Sequence, residues 1–314
     1  MGELQPYLGR IVKEWHPALR RSFRHYAPST LKKSRSPRRK QAGVLPYWLV
    51  IPQWLAGLFL KKQETNQKFL LDVLFGQFCV FLAIKIHDDL YDGQTTDRSL
   101  LYAADHFLLS ARGAFAPYFP SESIFWPFFD SSIAQTLNAI IAIDQSQLHG
   151  YGSRSSVAAL ITQEYAAVNI ATYAICLRSK RIRSFRTIAQ CMGELAFVGQ
   201  VLDDLEDMMV DFQRGRINYA AQFLLGPSND RKKNFAGRLT RRIILNGSAD
   251  RFFEMLQDHL QRASEIAETT AISMLVDYVG KHRTELTSIE TQFHRKRVHL
   301  LFESALGGRP HRAT

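Results

Sequence analysis

Cysteine is scarce in this chain, with three residues in 314, and each of them (Cys79, Cys176 and Cys191) lies in an apolar stretch. CxxC spacings and mixed Cys/His clusters are missing, which excludes a disulfide-stapled or zinc-stapled fold. Glycine (18) and proline (11) are also few and lie mostly at breaks between apolar segments. The first ten residues lack the apolar core of a secretory signal, so we expect a cytoplasmic protein.

Strand patterns are equally rare, because apolar and polar residues nowhere alternate over more than five positions. The chain is 46% hydrophobic and 22% charged, and nearly every segment follows a helical period. We therefore predict one all-α domain over residues 41–305, preceded by a basic arm (1–40) and followed by a flexible tail (306–314). The predicted helices are 46–62, 66–92, 98–116, 121–148, 155–179, 183–213, 217–225, 230–246, 249–268 and 270–304.

Positive charge is concentrated in one place. Residues 10–40 contain eleven lysines and arginines and a single acid, Glu14, so this segment carries +10 of the net charge of +11. A basic flexible linker on a nearly neutral body is typical of a solvated arm or of attachment to an anionic membrane surface. It is not the pattern expected of a nucleic-acid-binding domain, so we predict no nucleic-acid partner.

Two acidic clusters follow strongly apolar segments, and both have the pattern Asp-Asp-x-x-Asp. Residues four apart share one helix face, where like charges repel. A solvated acidic face is the simplest interpretation of one such motif, but two copies in a basic protein favour a bound cation. Carboxylates without His or Cys partners suit Mg²⁺ or Mn²⁺, which commonly also take phosphate oxygens. The predicted metal ligands and catalytic residues are Asp88, Asp89, Asp92, Asp203, Asp204 and Asp207.

The paired motif resembles that of the trans-prenyltransferase branch of the class I isoprenoid synthases. The stretch 104–109, Ala-Asp-His-Phe-Leu-Leu, is similar to that family's Gly-Asp-x-Leu-Leu element. Gln200 precedes Asp203 by three residues, as in the family's Phe-Gln-x-x-Asp-Asp. Residues 211–218 resemble its Asp-Leu-x-x-Gly-Lys-x-Thr, with Arg216 in place of the Lys. The resemblance extends over about residues 40–305.

This resemblance implies an isoprenoid synthase-type helical bundle with a central apolar cavity, and commonly a homodimer. It also implies that the two clusters hold about three Mg²⁺ ions, with Mn²⁺ as an alternative. These ions bind the diphosphate of an allylic prenyl diphosphate, whose ionisation they assist. The residues implied at the diphosphate are Arg98, Gln200, Arg214 and Arg216.

The sequence departs from the family where a second diphosphate, that of isopentenyl diphosphate, would bind. The positions that are cationic in the family fall on Leu45, Phe81, Asp97 and Asn169. A diphosphate needs several charge-assisted donors, so this loss favours a terpene synthase (cyclase) that ionises a prenyl diphosphate without elongating it. Chain elongation with isopentenyl diphosphate is the first alternative, and a non-catalytic partner subunit of a prenyltransferase is the second.

Overall fold

A computed structural model of the chain describes residues 5–33, 47–61, 63–225, 247–270 and 272–305. Within these ranges every regular element is helical, which confirms the predicted all-α class. The predicted helix 230–246 lies outside the described residues. In chain order the helices described are α1 (Gln5–Glu14), α2 (Pro17–Lys33), α3 (Tyr47–Phe59), α4 (Glu64–Tyr91), α5 (Leu100–Phe115), α6 (Phe125–His149), α7 (Arg154–Glu164), α8 (Ile170–Arg178), α9 (Ile182–Gln213), α10 (Tyr219–Leu225), α11 (Ser248–Thr269) and α12 (Ser273–Ala305).

The chain divides into two compact units. Unit 1 consists of Met1–Ile140 and Gln163–Ala189, and unit 2 consists of Ile141–Thr162 and Gln190–Thr314. The first acidic cluster belongs to unit 1 and the second to unit 2. The division into an arm, one domain and a tail stays a prediction, because these units do not test its boundaries.

Helix α4 is the central helix of unit 1. Among the described residues it is the one helix long and apolar enough to cross a membrane, but 72% of its most apolar stretch is buried inside the protein. That burial is what a core helix requires. Gln77 in its middle accepts a hydrogen bond from the backbone N–H of Ala171 (2.9 Å) and donates one to the carbonyl of Ala167 (3.1 Å). These two bonds fix α4 against the start of α8.

A glycine allows α4 and α5 to approach closely. A Cβ placed on Gly76 would lie 2.6 Å from the ring of Phe115, whose side chain is fully buried in α5. Real Cβ contacts are essentially never that short, so a larger residue at this position requires the buried ring of Phe115 or the helices themselves to shift. The first aspartate cluster follows on the same helix, at its C-terminal end.

The basic segment predicted as a flexible linker over 10–40 is helical up to Lys33 apart from a break at residues 15–16 between α1 and α2. Trp15, Phe23 and Tyr26 are buried, and the rings of Trp15 and Phe23 each lie 5.3 Å from that of Phe107 in α5. These three aromatic residues anchor α1 and α2 to unit 1. Residues 34–40 lie outside the described residues, and attachment of the arm to a membrane stays a prediction.

Unit 2 contains a buried histidine that pairs with a carboxylate. Nδ1 of His259 in α11 lies 2.6 Å from Oε2 of Glu194 in α9, and the imidazole stacks on the ring of Phe197 at 3.8 Å. Arg262 also donates to Glu194, at 3.0 Å. Burial lowers the pKa of His259, against the opposing effect of Glu194. A neutral imidazole that donates its Nδ1–H to Glu194 fits this arrangement.

Candidate active site

The first acidic cluster occupies the C-terminal end of α4. Asp88 and Asp89 lie in the last turn and Asp92 caps the helix, with its backbone N–H bonded to the carbonyl of Asp88. Gly93 follows with a φ of 68°, a left-handed conformation that suits glycine and ends the helix. The C-terminus of a helix carries partial negative charge, so three carboxylates there are unfavourable without a cation.

Lys85 supplies a cation from within the same helix. Its ammonium lies 2.7 Å from Oδ2 of Asp88 and 2.7 Å from Oδ1 of Asp89, one turn further along α4. Burial opposes the charged ammonium, but the two carboxylates outweigh it and raise the pKa of Lys85. Burial raises the pKa of Asp88, and Lys85 counteracts this effect. The spacing of the acids predicted a cation between them, and the structure places a lysine there.

The second oxygen of Asp89 is also bonded. The hydroxyl of Tyr26 in α2 donates to Oδ2 of Asp89 at 2.7 Å. Asp89 is therefore buried and bonded through both oxygens, whereas Asp88 and Asp92 are half-buried. Of the three acids of this motif, Asp89 is the most deeply buried, and its hydrogen bonds connect α4 to α2.

A cavity of about 580 Å³ opens beside Asp89, between α2 and the loop after α4. Arg21 and His25 line it from α2, and Thr95 and Asp97 line it from the loop. It combines two basic side chains with two carboxylates, which is a chemistry suited to an anionic ligand that carries a metal. Sequence analysis did not place α2 beside the first acidic cluster, because it assigned the cations of this segment to a flexible linker.

The second cluster lies on α9, in unit 2. Asp203 is half-buried and Asp207 is exposed, but Asp204 is buried with a relative exposure of 7%. One oxygen of Asp204 accepts the backbone N–H of Tyr219 (3.0 Å) and the other accepts Nε2 of Gln200 (3.3 Å). Burial raises the pKa of Asp204 to about 7, against the lowering effect of the Tyr219 bond. Asp204 thus stabilises the beginning of α10, and Gln200 orients Asp204.

The segment after α9 is held by Asn218. Its side-chain amide donates to the carbonyl of Asp204 (2.7 Å) and to Oδ2 of Asp211 (2.8 Å). Its Oδ1 accepts the backbone N–H of Ala221, which caps the first turn of α10. Gly215 has a φ of 81° and allows the chain to turn before this cap. Asp211, which lies four residues after Asp207 on α9, is therefore bonded to the turn that leads into α10.

The predicted diphosphate-binding arginines have different surroundings. Arg98 in unit 1 and Arg214 in unit 2 are exposed. Arg216 is half-buried, and its guanidinium lies 2.9 Å from Oδ1 of Asp144. An arginine engaged by a buried carboxylate is positioned rigidly, and its remaining donors are oriented by that pair.

The donor chemistry of both motifs fits Mg²⁺ or Mn²⁺. Within the described ranges, no three His, Cys, Asp or Glu side chains converge closely enough to hold a metal ion by themselves. Mg²⁺ is commonly held by one or two carboxylates together with waters and substrate phosphates, so a complete protein cage is not required. Asp88, Asp92, Asp203 and Asp207 are the aspartates with solvent-accessible carboxylates that would hold it. Metal binding by the six aspartates stays a prediction.

The positions at which the resembling family has cations have other roles here. Phe81 stacks on Trp48 at a ring distance of 4.6 Å. Asp97 accepts bonds from the backbone N–H and the hydroxyl of Ser99. The amide of Asn169 donates to the carbonyl of Tyr165. The fourth position, Leu45, lies outside the described residues.

Two solved structures share this fold over nearly their whole length. One is a heptaprenyl diphosphate synthase from Staphylococcus aureus, with 14% identity, a TM-score of 0.61, and coverage of 89% of this chain and 96% of that one. The other is a geranylgeranyl pyrophosphate synthetase from the archaeon Geoglobus acetivorans, with 16% identity, a TM-score of 0.64, and coverage of 88% and 94%. The chain therefore has the trans-prenyltransferase-type class I isoprenoid synthase fold. No family model and no curated protein sequence matches it.

Proposed function

We propose that this chain is a Mg²⁺-dependent class I isoprenoid synthase that elongates an allylic prenyl diphosphate with isopentenyl diphosphate. The observation that carries the proposal is the position of the two Asp-Asp-x-x-Asp motifs on apolar helices of an isoprenoid synthase fold. The two solved structures named above are both called prenyl diphosphate synthases, which supports elongation over cyclisation.

At the allylic substrate, the carboxylates would bind the metal and the arginines would bind the phosphate oxygens. Asp88 and Asp92 in unit 1 and Asp203 and Asp207 in unit 2 would hold Mg²⁺, with about three ions as in the resembling family. When bound, the metal neutralises the diphosphate and makes it a better leaving group. Arg98, Arg214 and Arg216 offer charge-assisted hydrogen bonds to the departing phosphate oxygens. Apolar helix faces exclude water, which protects a cationic allylic group from hydrolysis.

The polar cavity beside Asp89 supports a second diphosphate site. Arg21 and His25 supply basic side chains to the lining of this cavity. Thr95 can donate a neutral hydrogen bond from the opposite side of this cavity. Two basic groups and a hydroxyl offset part of the cation loss noted at Phe81, Asp97 and Asn169.

Terpene cyclisation is the second candidate. The observation in its favour is that Phe81, Asp97 and Asn169 have neutral or acidic side chains with local partners of their own. A cyclase needs only the metal-bound diphosphate site, and nothing in its chemistry requires Arg21 or His25. The two candidates thus differ in whether isopentenyl diphosphate binds.

The decisive experiment supplies each substrate separately. Purified protein is incubated with Mg²⁺ and geranyl, farnesyl or geranylgeranyl diphosphate, with and without isopentenyl diphosphate, and both the hydrocarbon and the diphosphate fractions are analysed. We expect longer prenyl diphosphates only when isopentenyl diphosphate is present. Hydrocarbon or alcohol products from an allylic substrate alone would replace elongation with cyclisation. Turnover only after an active prenyltransferase is added would indicate a partner subunit.

The metal assignment is tested in the same assay. Replacing Asp88, Asp92 or Asp203 with Ala should lower turnover by orders of magnitude, because each removes a carboxylate on which the diphosphate-bound metal depends. Circular dichroism checks that each variant remains helical. Near-normal turnover in all three variants would contradict metal binding at these motifs.

A further inference from the structure

The turn between α8 and α9 has the highest density of positive charge among the described residues outside the N-terminal segment. Five cations and no acid occur within nine residues, 178–186. All five side chains are exposed. Together we call them the basic turn surface: Arg178, Lys180, Arg181, Arg183 and Arg186.

The described carboxylates do not pair with this surface. Elsewhere in unit 1, cations form ion pairs, as Lys68 does with Asp72 in α4 and Arg112 of α5 does with Asp130 of α6. Within the described residues, no carboxylate forms an ion pair with any member of the basic turn surface. A concentration of uncompensated like charge is unfavourable in the isolated protein and favourable beside an anionic surface.

Apolar side chains border the cations. The guanidinium of Arg181 lies over the ring of Phe59, at 5.6 Å from its centre. Leu58, next to Phe59 at the end of α3, is 52% exposed, and Leu60 is half-buried. Leucines beside a cluster of Lys and Arg are the combination that interfacial membrane segments present to a bilayer.

The surface lies at the opposite end of α4 from the first aspartate cluster. Arg178 stacks over Phe69, near the beginning of α4, at 4.8 Å from the ring centre. Phe69 and Asp88 are 19 residues apart, which is about 28 Å along a helix. A membrane bound at the basic turn surface therefore leaves the acidic end of α4 in water.

We propose that the basic turn surface, with Leu58 and Leu60, docks the protein on an anionic lipid bilayer. Charge complementarity selects an anionic partner, and the exposed Leu58 beside the half-buried Leu60 favours a bilayer over a nucleic acid, which is bound chiefly by stacking aromatic side chains. This site is distinct from the N-terminal segment, whose described charges lie on α1 and α2. It goes beyond the proposed enzymatic function and does not depend on it.

Co-sedimentation of the full chain with vesicles tests the proposal. Vesicles of phosphatidylcholine alone are compared with vesicles that contain phosphatidylserine, at low salt. The variant Lys180→Gln/Arg181→Gln/Arg183→Gln should bind the anionic vesicles about a hundredfold more weakly, since each basic residue near such a surface contributes about fivefold. Leu58→Ser should weaken binding about tenfold, and Leu109→Ser, which alters a still more exposed leucine of α5, should not.

Matched controls separate this surface from general charge. Arg251→Gln/Lys281→Gln/Lys296→Gln removes three exposed charges from unit 2 and should change binding by less than about threefold. Equal loss in both triple variants would overturn the proposal, as would loss only on neutralising Arg10, Lys13 and Arg24 in the N-terminal segment. Binding of a fluorescent single-stranded RNA, but not of vesicles, that disappears in the turn variant would replace the bilayer with a nucleic acid.

Discussion

The ammonium of Lys85 lies 2.7 Å from Oδ2 of Asp88, the first aspartate of the first motif. The same nitrogen lies 2.7 Å from Asp89, so one lysine neutralises part of a cluster that would otherwise attract a divalent cation. A metal ion at this motif would therefore compete with the ammonium for the same carboxylates.

Replacing the lysine should strengthen metal binding. In Lys85→Met, Asp88 and Asp89 lose a cation that a metal must otherwise displace, and we expect Mn²⁺ to bind about tenfold more tightly. Without metal the variant should be less stable, because the acids at the end of α4 then repel each other. Mn²⁺ titration by calorimetry and urea unfolding with and without Mg²⁺ measure both effects.

Lys68→Met is the matched control for this variant. Lys68 lies on the same helix and pairs at 2.7 Å with Asp72, which belongs to neither Asp-Asp-x-x-Asp motif. Its replacement should leave Mn²⁺ affinity unchanged. Equal Mn²⁺ affinities in wild type and Lys85→Met would show that the ammonium does not compete.

The two neighbouring aspartates of the second motif should respond differently to amidation. The pKa of Asp204 is raised from 3.8 to about 7 in the folded protein. Between these two pH values the folded protein therefore retains a proton on Asp204 that the unfolded chain has lost. Its contribution to stability is full below about pH 4 and is lost as the pH rises to about 7. Asp204→Asn should therefore be more stable than wild type at pH 8, on the order of 2 kcal/mol, with no gain at pH 4.

Asp203→Asn provides the contrast. Its half-buried side chain is not enclosed as Asp204 is, so we expect little change in stability, within about 0.5 kcal/mol, and a large loss of turnover. Urea unfolding at pH 4 and pH 8 in metal-free buffer gives the stability data. A similar stability profile for both variants would argue against a structural role specific to Asp204.

The cavity beside Asp89 makes a kinetic prediction. Arg21→Gln removes a charge-assisted hydrogen bond to the second diphosphate, which we expect to raise KM for isopentenyl diphosphate about tenfold or more and to alter KM for the allylic substrate little. Arg24→Gln is a matched control, because Arg24 is exposed on the same helix and does not line the cavity. Unchanged KM in Arg21→Gln would remove this cavity from the proposed second site.

The His259–Glu194 pair predicts how stability depends on pH. Burial lowers the pKa of His259 below its usual 6.5, so the unfolded chain takes up a proton first as the solution is acidified. The contribution of the neutral His259 to the free energy of unfolding is therefore present above about pH 6.5 and decreases as the pH falls. Burial opposes ionisation of Glu194, but His259 and Arg262 outweigh it and lower its pKa, so its own contribution declines only below about pH 4.5.

Unfolding of His259→Phe tests this window. The variant should lose the part of the pH dependence that lies between about pH 7 and pH 5, because no group at this position then titrates. The decline below about pH 4.5 should be smaller, since Glu194 has lost one of its partners. A curve with the wild-type slope between pH 7 and pH 5 would assign that slope to other groups.

The close contact between α4 and α5 predicts a sharp difference between two glycines. Gly76→Ala places a methyl group 2.6 Å from the ring of Phe115 and should destabilise the protein by about 1–3 kcal/mol. Gly113→Ala, in an open position on α5, should stabilise it by about 0.5–1 kcal/mol. Thermal unfolding compares the two. Equal midpoints would mean that the helices can separate at little cost.

Helical periodicity identified the core of unit 1 well. The predicted helix 66–92 contains all of the buried stretch of α4, and both acidic clusters lie where that period places them, at the ends of apolar helix faces. Periodicity did not find the break between α7 and α8, where Ala167–Asn169 forms a short 3₁₀ turn. No glycine or proline marks this break, and its geometry depends on the distant bond from Gln77.

Long-range partners explain what sequence analysis missed. The dense cations of residues 10–33 concealed Trp15 and Phe23, whose burial depends on α5 about ninety residues away in the chain. The bond from Tyr26 to Asp89 joins positions 63 residues apart and has no local signature. The ion pairs of Lys85 did have a local signature. On a helix, a lysine lies beside the residues three and four positions later, which here are Asp88 and Asp89.

The lysine bridge has a consequence for the enzyme between catalytic cycles. With Lys85 present, the carboxylates of Asp88 and Asp89 have a counter-charge supplied by their own helix, independently of any metal. Any metal–diphosphate pair that bound at Asp88 and Asp89 would have to displace this internal ammonium. A metal that arrived with its diphosphate would then be favoured over metal alone, because the diphosphate would offer the displaced ammonium a new anionic partner.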